Sequence, residues 1–169
     1  MSPIVKPTIY CDVDGVINTT QKLENGTTKI IYRKLPSLGE KLWKIPLRIN
    51  WHNHTTLTLA ALQVNFYWLT TWNHQAVHIL EPLIGIKSTG VIPYRMPLKE
   101  ARRQYTKYEL LKAHQAENPS PFIWIDDVAT QHYKKEHFKD AQPHLIIRTN
   151  KRLGITPEHL QQIHDFVTT

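Results

Sequence analysis

The stretch IYCDVDGVIN, residues 9–18, decides the fold. Apolar residues lead into Asp12, Asp14 follows after one intervening position, and Gly15 comes next. Because side chains alternate along a strand, the two carboxylates are predicted to project to the same side of it. Carboxylates this close repel each other unless a cation or a shared proton lies between them. The pair therefore predicts either a cationic partner or a shared proton at the end of the first buried strand.

The composition is that of a basic globular protein. The chain has 169 residues, of which 41% are hydrophobic, with a net charge of +7 and a pI near 9.5. This length suits a single domain over residues 1–169. The positive charge favours phosphorylated substrates or nucleic acid, although ordinary solubility charge explains it equally well.

The single cysteine and the hydropathy pattern indicate in which cellular compartment the protein is expected. Cys11 has no second cysteine to pair with, which fits a reducing environment. There is no apolar run of about 18 residues, so no membrane partner is expected. The first ten residues lack the apolar core of a signal peptide. We therefore expect a cytoplasmic protein, and the sequence leaves its oligomeric state open.

Apolar segments and helical patterns alternate along the chain. An Asn25-Gly26 turn signal before a β-rich run predicts a hairpin there. Other strands are predicted over residues 7–13, 45–52, 64–71, 89–94, 122–127 and 144–149. The alternation predicts an α/β fold with an open, mainly parallel, Rossmann-like sheet flanked by helices.

Helices are predicted between these strands, at residues 55–63, 72–85, 97–117, 130–141 and 156–167. Pro82 and Gly85 are expected to close the second, and the third is expected to break near Gln104. Thr156 is the predicted N-cap of the last helix, with Pro157 in its first position.

Polar residues follow three of the apolar strands, and parallel strands would bring them to one edge of the sheet. They are Asp12 and Asp14, Thr70 and Thr71, and Asp126 and Asp127. An oxygen-rich site of this kind suits Mg²⁺, which keeps several waters and partners phosphate. A threonine hydroxyl can donate to a phosphoryl oxygen, and a lysine would complete the charge balance. Lys107 is our candidate, with Lys99 and Lys112 as competitors.

Other acidic motifs fit the sequence less well. An EF-hand loop needs glycine at its sixth position and glutamate at its twelfth. Counted from Asp12, Gly15 is fourth and Leu23 is twelfth. Response-regulator receivers carry their acid pair early and their lysine last, whereas here an acid pair follows the lysine. There is no GxxxxGK[ST] loop, so ATP use is not indicated.

The joint order of these motifs resembles the haloacid dehalogenase (HAD) superfamily. YCDVDGVIN is similar to its first motif, FYWLTTWN to its second, Lys107 to its third and FIWIDDV to its fourth. The segments LTTWNHQA, WIDDV and LGITPEHLQQI resemble more particularly the small HAD domains of predicted Swiss Army Knife RNA-repair proteins. The resemblance runs from about residue 8 to the C-terminus.

The resemblance implies a covalent phosphatase mechanism. Asp12 would attack phosphorus and form an aspartyl-phosphate, which water then hydrolyses. Asp14 would protonate the leaving oxygen and later activate that water. Thr70 or Thr71 would bind the phosphoryl oxygens together with Lys107. The implied Mg²⁺ ligands are Asp12, the Asp14 backbone carbonyl, Asp126 and Asp127.

The segment between the first two motifs, residues 18–55, corresponds to a small β-rich, cap-like insertion. It is too short for a large helical cap, so we expect an open site that admits bulky substrates. The surface cations proposed to bind a nucleic acid include Arg102, Arg103, Lys134 and Lys135. Trp72 is expected to wall the pocket or to stack on a base.

Two functions follow from these motifs. The first is a Mg²⁺-dependent phosphatase acting on terminal phosphates of nucleotides or nucleic acids. The alternative is a non-catalytic HAD-fold module that binds nucleic acid or a protein partner, and the intact acids favour the enzyme.

Overall fold

A computed structural model describes residues 5–22, 24, 26–35, 38–49, 58–59, 61–95, 100–129 and 138–169, with only the backbone of residues 100–105. The strands are β1 (Thr8–Cys11), β2 (Thr27–Lys34), β3 (Leu42–Ile49), β4 (Asn65–Trp68), β5 (Gly90–Val91), β6 (Phe122–Asp126) and β7 (His144–Arg148). The helices are α1 (Glu81–Ile84), which continues a π-helical segment (Ala76–Leu80), α2 (Glu100–Glu117) and α3 (Pro157–Thr168). None of the described helices is both long and apolar enough to cross a membrane.

Five parallel strands form the main sheet in the order β5-β4-β1-β6-β7. The predicted α/β, Rossmann-like architecture is thus confirmed. β1 lies in the middle, with β4 and β6 as its direct neighbours. The three strands that carry the polar motifs are therefore adjacent, and their carboxyl ends meet at one edge.

The sheet is buried on both faces because its central strands alternate between two apolar clusters. Ile9 and Cys11 point to one cluster, together with Ile125, and pack with the π-helical segment and α3. Tyr10 and Trp124 point to the other, which includes α2 residues. Continuous apolar sequence is what a parallel strand covered on both sides requires.

The insertion after β1 contains a two-stranded antiparallel hairpin, β2 with β3. Its strands are joined through residues 35–41, so the hairpin turn is not at Asn25-Gly26 as predicted. Asn25 itself lies outside the described residues. The β-rich character of the insertion is confirmed, and the strand predicted at residues 45–52 begins earlier, at Leu42.

Two predicted helix boundaries are wrong. Pro82 does not end its helix but lies within it, just after the π-helical segment, and the helix ends at Gly85 with φ 77°. A π-helical segment changes the hydrogen-bond register ahead of the proline, which has no N–H to donate. The predicted break near Gln104 is absent, because α2 runs without interruption from Glu100 to Glu117.

The last helix begins as predicted. The Thr156 hydroxyl accepts from the backbone N–H of His159, and Pro157 occupies the first turn. The helix predicted at residues 130–141 falls mostly outside the described residues, and the helix at 55–63 is described only in part.

Candidate active site

The Asp-x-Asp motif lies in a loop rather than in the strand. β1 ends at Cys11, and the backbone N–H of Asp12 donates to the Ile125 carbonyl at 3.0 Å. The chain then turns, with the N–H of Gly15 donating to the Asn18 carbonyl at 2.8 Å. Strand alternation therefore does not govern this motif, and the prediction that Asp12 and Asp14 project to one side for that reason is wrong.

Lys107 joins the first and fourth motifs. Its Nζ lies 2.9 Å from Asp12 Oδ2 and 2.6 Å from Asp126 Oδ2, and all three side chains are at most 1% exposed. α2 carries Lys107 across the sheet edge, where the Tyr94 ring centroid lies 5.5 Å from Nζ. Of the competing lysines, Lys112 is exposed and lies over Tyr108, and Lys99 is outside the described residues.

The pKa values of Lys107 and Asp126 are shifted in this cluster. Burial lowers the pKa of Lys107, but Asp12 and Asp126 outweigh it and raise that pKa above its usual value. Burial raises the pKa of Asp126 to about 7, with Lys107 opposing the shift and Asp12 adding to it. A buried carboxyl that is only partly neutralised has affinity for a further cation.

Asp127 completes a group of three carboxylates. One oxygen from each of Asp12, Asp126 and Asp127 lies within 4.8 Å of the others. Gly15, at φ 79°, lets the first loop pass close to Asp127, because a Cβ there would lie 2.5 Å from Asp127 Cγ. The absence of a side chain at Gly15 thus makes room for the Asp127 carboxylate.

The residues of this cluster fit a magnesium ion. If all three acids are ionised, their charge of −3 and the +1 of Lys107 leave −2, which a divalent cation balances. Asp12 Oδ2 is buried, and its contact with Lys107 is an ion pair without hydrogen-bond geometry, so this oxygen retains acceptor capacity. Oxygen ligands of this type are those that Mg²⁺ prefers.

The Asp14 carboxylate is not part of that group, although we expected it to converge there with Asp12 and Asp126. Its Oδ1 accepts from Asn18 Nδ2 and its Oδ2 accepts from Trp72 Nε1, each at 2.9 Å. Asn18 is fixed in turn, because its Oδ1 accepts from the backbone N–H of Arg48 in β3 at 2.9 Å. The side chain of Asp14 is therefore oriented by the second motif and by the insertion.

The motif threonines follow β4 directly and are buried. Thr70 is fully buried, and its hydroxyl oxygen accepts from the Trp72 N–H at 3.3 Å, while its own hydrogen has no acceptor among the described residues. Thr71 is 7% exposed and lines an open groove of about 360 Å³ beside the β2–β3 hairpin. Both threonines remain candidates for a phosphate contact.

Comparison with known families gives a result that agrees with this geometry. Residues 8–160 match the model of the HAD domain in Swiss Army Knife RNA repair proteins. The chain belongs to this family. No curated protein and no solved structure matches it. HAD domains are mostly phosphohydrolases and generally use Mg²⁺, and this HAD domain contains a cluster of three aspartates of which two are buried.

Several residues that shape the site of this HAD domain were missed by sequence reasoning. Asn73, with φ 47°, links the second motif to the segment before α2, since its side chain bonds the Tyr94 N–H and carbonyl at 2.8 Å each. Asn18 and Arg33 were missed as well. Asn18 and Asn73 are the last residues of the first and second motifs as quoted above, which is their sequence signal, whereas Arg33 has none.

Trp72 was expected to wall the pocket or to stack on a base. It is 1% exposed, and the guanidinium carbon of Arg33 lies 3.8 Å from its ring centroid. A face already covered by Arg33 is not free for a base, so the stacking role is wrong on that face. Trp72 does line the groove beside the β2–β3 hairpin, and its indole N–H donates to the Asp14 carboxylate.

Proposed function

We propose that this HAD domain is a Mg²⁺-dependent phosphatase that acts through an aspartyl-phosphate on terminal phosphates of nucleotides or nucleic acids. The observation that carries the proposal is the contact of Lys107 with both Asp12 and Asp126, beside Asp127. A single cation among three acids leaves the site with affinity for a divalent ion. The acid that would act as nucleophile lies within this cluster.

Asp12 and Asp14 have different roles in the proposed reaction, Asp12 as the nucleophile and Asp14 as the general acid and base. A carboxylate oxygen of Asp12 forms a bond to phosphorus while the bond from phosphorus to the leaving oxygen breaks. Asp14 donates its proton to that leaving oxygen, and in the second step takes a proton from the attacking water. The N–H groups of Asn18 and Trp72 hold the Asp14 carboxylate in one orientation for both transfers.

Lys107 and the threonines are the residues proposed to bind the phosphoryl group. The Lys107 ammonium lies next to the Asp12 oxygens and would offer positive charge to the equatorial oxygens as they gain charge. Thr70 would donate its hydroxyl hydrogen to one of them. A bound Mg²⁺ would lower the repulsion between the anionic nucleophile and the anionic phosphate. Asp126, Asp127, Asp12 and the Asp14 backbone carbonyl are its proposed ligands.

The substrate class is supported by charge and by the family. The net charge of +7 favours polyanions. Among the described surface cations, Lys139, Lys151 and Arg152 are exposed, while the side chains of Arg102, Arg103, Lys134 and Lys135 are outside the described set. The family is described by its occurrence in RNA repair proteins.

The proposal is tested by phosphate release with Mg²⁺ and with a chelator. The panel contains p-nitrophenyl phosphate, mononucleotides, sugar phosphates and oligonucleotides phosphorylated at either end. Asp12→Asn should lower activity by more than about 10⁴-fold, because it removes the nucleophile while keeping its shape. Asp140→Asn, at an exposed aspartate, is the matched control and should retain activity. Unchanged turnover by the Asp12 variant contradicts the covalent mechanism, and oligonucleotide binding without any turnover favours the non-catalytic module.

A further inference from the structure

Arg33 is a buried cation contributed by the β2–β3 hairpin. Its side chain is on the inner face of β2, and the residue is only 3% exposed. The guanidinium lies over the Trp72 ring, and Nε donates to the Lys34 carbonyl at 3.3 Å. Burial lowers the pKa of Arg33, and Asp14 opposes that shift. Even so, an arginine retains its charge at neutral pH.

The two terminal nitrogens of Arg33 have no hydrogen bond or ion pair with the residues that the structure describes. Neither is among the fully enclosed polar atoms that lack a partner, so each retains some contact with accessible space. A guanidinium taken out of water without a partner is unfavourable. An incoming anion would therefore find the Arg33 guanidinium already in position to bind it.

The backbone next to Arg33 is anchored to the segment that follows the second motif. The Gln75 side chain bonds both backbone groups of the adjacent Lys34, accepting from its N–H at 2.8 Å and donating to its carbonyl at 3.0 Å. These two bonds fix β2 against the helical segment that follows the second motif. A cation that is already in position loses little conformational freedom when it binds an anion.

Arg33 lies on the leaving-group side of the proposed reaction. Trp72 connects it to Asp14, whose Oδ2 accepts from the indole Nε1 at 2.9 Å. Asp14 is the group proposed to protonate the leaving oxygen. Lys107, by contrast, contacts Asp12 and Asp126 and serves the phosphoryl side. An anion bound by Arg33 would therefore belong to the leaving group and not to the phosphate that is transferred.

We propose that Arg33 binds a second phosphate, carried by the leaving group a few bonds from the ester that is cleaved. This inference rests on the proposed phosphatase function and narrows its substrate class. Guanidinium nitrogens match the spacing of phosphate oxygens and can donate two parallel hydrogen bonds. Either a second monoester or an internucleotide diester has this chemistry.

The test compares substrates that differ only in the second phosphate. The pairs are adenosine 3′-monophosphate with adenosine 3′,5′-bisphosphate, and fructose 6-phosphate with fructose 1,6-bisphosphate. A 3′-phosphorylated dinucleotide represents the diester. We expect the second phosphate to raise kcat/KM by roughly tenfold or more, since charged hydrogen bonds have about this effect. The arm with the largest increase identifies the source of the phosphate.

Substitutions in the hairpin test whether Arg33 causes the preference for a second phosphate. Arg33→Met should abolish the gain from the second phosphate, so that the ratio of kcat/KM between the two members of each pair falls to about one. Arg33→Lys, which keeps the charge but not the paired donors, should restore part of the gain. Lys44→Met is the matched control, because Lys44 is an exposed cation on the outer face of the same hairpin. It should retain the full preference.

The outcomes separate this inference from the proposed function. If the unaltered protein shows no preference for a second phosphate, the Arg33 assignment is wrong even where hydrolysis is observed. If Arg33→Met slows both members of a pair equally, Arg33 only supports Trp72. If no compound is hydrolysed, the phosphatase proposal fails, and calorimetry with adenosine 3′,5′-bisphosphate still tests Arg33. Equal affinity of the unaltered and Arg33→Met proteins would then overturn the inference.

Discussion

Two clusters of charge lie side by side in this HAD domain and are built differently. The lysine cluster, Asp12, Lys107, Asp126 and Asp127, comes from the main sheet and α2, and its ion pairs are fully buried. The indole cluster, Asp14, Asn18, Arg33 and Trp72, includes a residue of the inserted hairpin, and Asp14 is partly exposed. Asp127 of the first cluster is partly exposed as well, so the difference between the clusters is the inserted hairpin, which contributes to the second cluster and not to the first.

The difference indicates how the two halves of the proposed reaction are separated. The groups that handle the transferred phosphate are part of the packed sheet edge, where their positions depend on β1 and β6. The groups that handle the leaving group depend also on an insertion, whose Ile31, Leu47 and Ile49 pack in the same apolar cluster as Ile9 and Cys11 of β1. We infer that changes in the hairpin alter substrate preference, whereas changes at the sheet edge remove the chemistry.

Among the substitutions that compare the two clusters, the largest effect is expected from Gly15, which lies in the loop between them. Gly15→Ala would place a Cβ within 2.5 Å of Asp127 Cγ at a backbone φ of 79°. We expect Asp127 to be displaced and the Mg²⁺ concentration for half-maximal activity to rise by about 10–100-fold. Phosphate release measured across a Mg²⁺ titration gives this value.

Gly39→Ala is the matched control for this prediction. Gly39 has nearly the same φ, 73°, but an added Cβ would meet nothing within 4 Å. It should show only the cost of the left-handed backbone, about 1 kcal/mol in stability. Equal effects of the two substitutions on Mg²⁺ dependence would mean that the contact between Gly15 and Asp127 does not position the metal site.

The lysine cluster was largely predictable from the sequence. Continuous apolar runs identified β1, β4 and β6, and a parallel sheet places their carboxyl ends together. The acids at two of these ends require a cation nearby. Lys107 lies along the chain between the threonine motif and the second acid pair, as expected. What could not be predicted was the exact backbone: Asp12 follows β1 in a loop, so the alternation rule did not apply to Asp14.

The indole cluster could not be predicted in the same way, because it depends on how an inserted hairpin packs against the sheet. Nothing local in the sequence relates Arg33 to Trp72, which lies 39 positions later. The Asn25-Gly26 signal also misplaced the hairpin turn, whose residues 35–41 include Gly39. Local turn propensity is a weak guide where tertiary contacts decide the register.

A smaller effect is expected from Trp72→Phe, which tests the indole cluster alone. The change removes the N–H that Asp14 Oδ2 accepts but keeps a ring beneath Arg33. A misplaced general acid matters only when the leaving oxygen needs a proton. We expect kcat for an alkyl phosphate to fall by about tenfold, while p-nitrophenyl phosphate, with its good leaving group, is hardly affected.

Trp43→Phe provides the control for that measurement, because the Trp43 Nε1 is buried without a hydrogen-bond partner. It should leave both substrates unaffected. A Trp72 variant that slows both substrates to the same extent would show that the indole supports the fold of the site and does not orient the acid.

The smallest expected effect is a pH-dependent difference in stability within the lysine cluster. Burial raises the pKa of Asp126 to about 7 in the metal-free protein, against about 3.9 in an unfolded chain. The folded state therefore binds this proton more tightly, so the contribution of Asp126 to stability is fully present below about pH 4. It is lost as the pH rises through about 7.

Asp126→Asn removes this dependence, so in chelator the Tm of the variant should rise relative to the unaltered protein between pH 5 and 8. The relative rise should be several degrees, since one pKa unit corresponds to about 1.4 kcal/mol and each kcal/mol to about 2–4 °C. Adding Mg²⁺ should reverse the difference at pH 8, because the ion stabilises only the protein that has the ionised carboxylate. Thermal melts with and without Mg²⁺ measure both effects, and a Tm difference that stays constant with pH would show that Asp126 is already ionised beside Lys107.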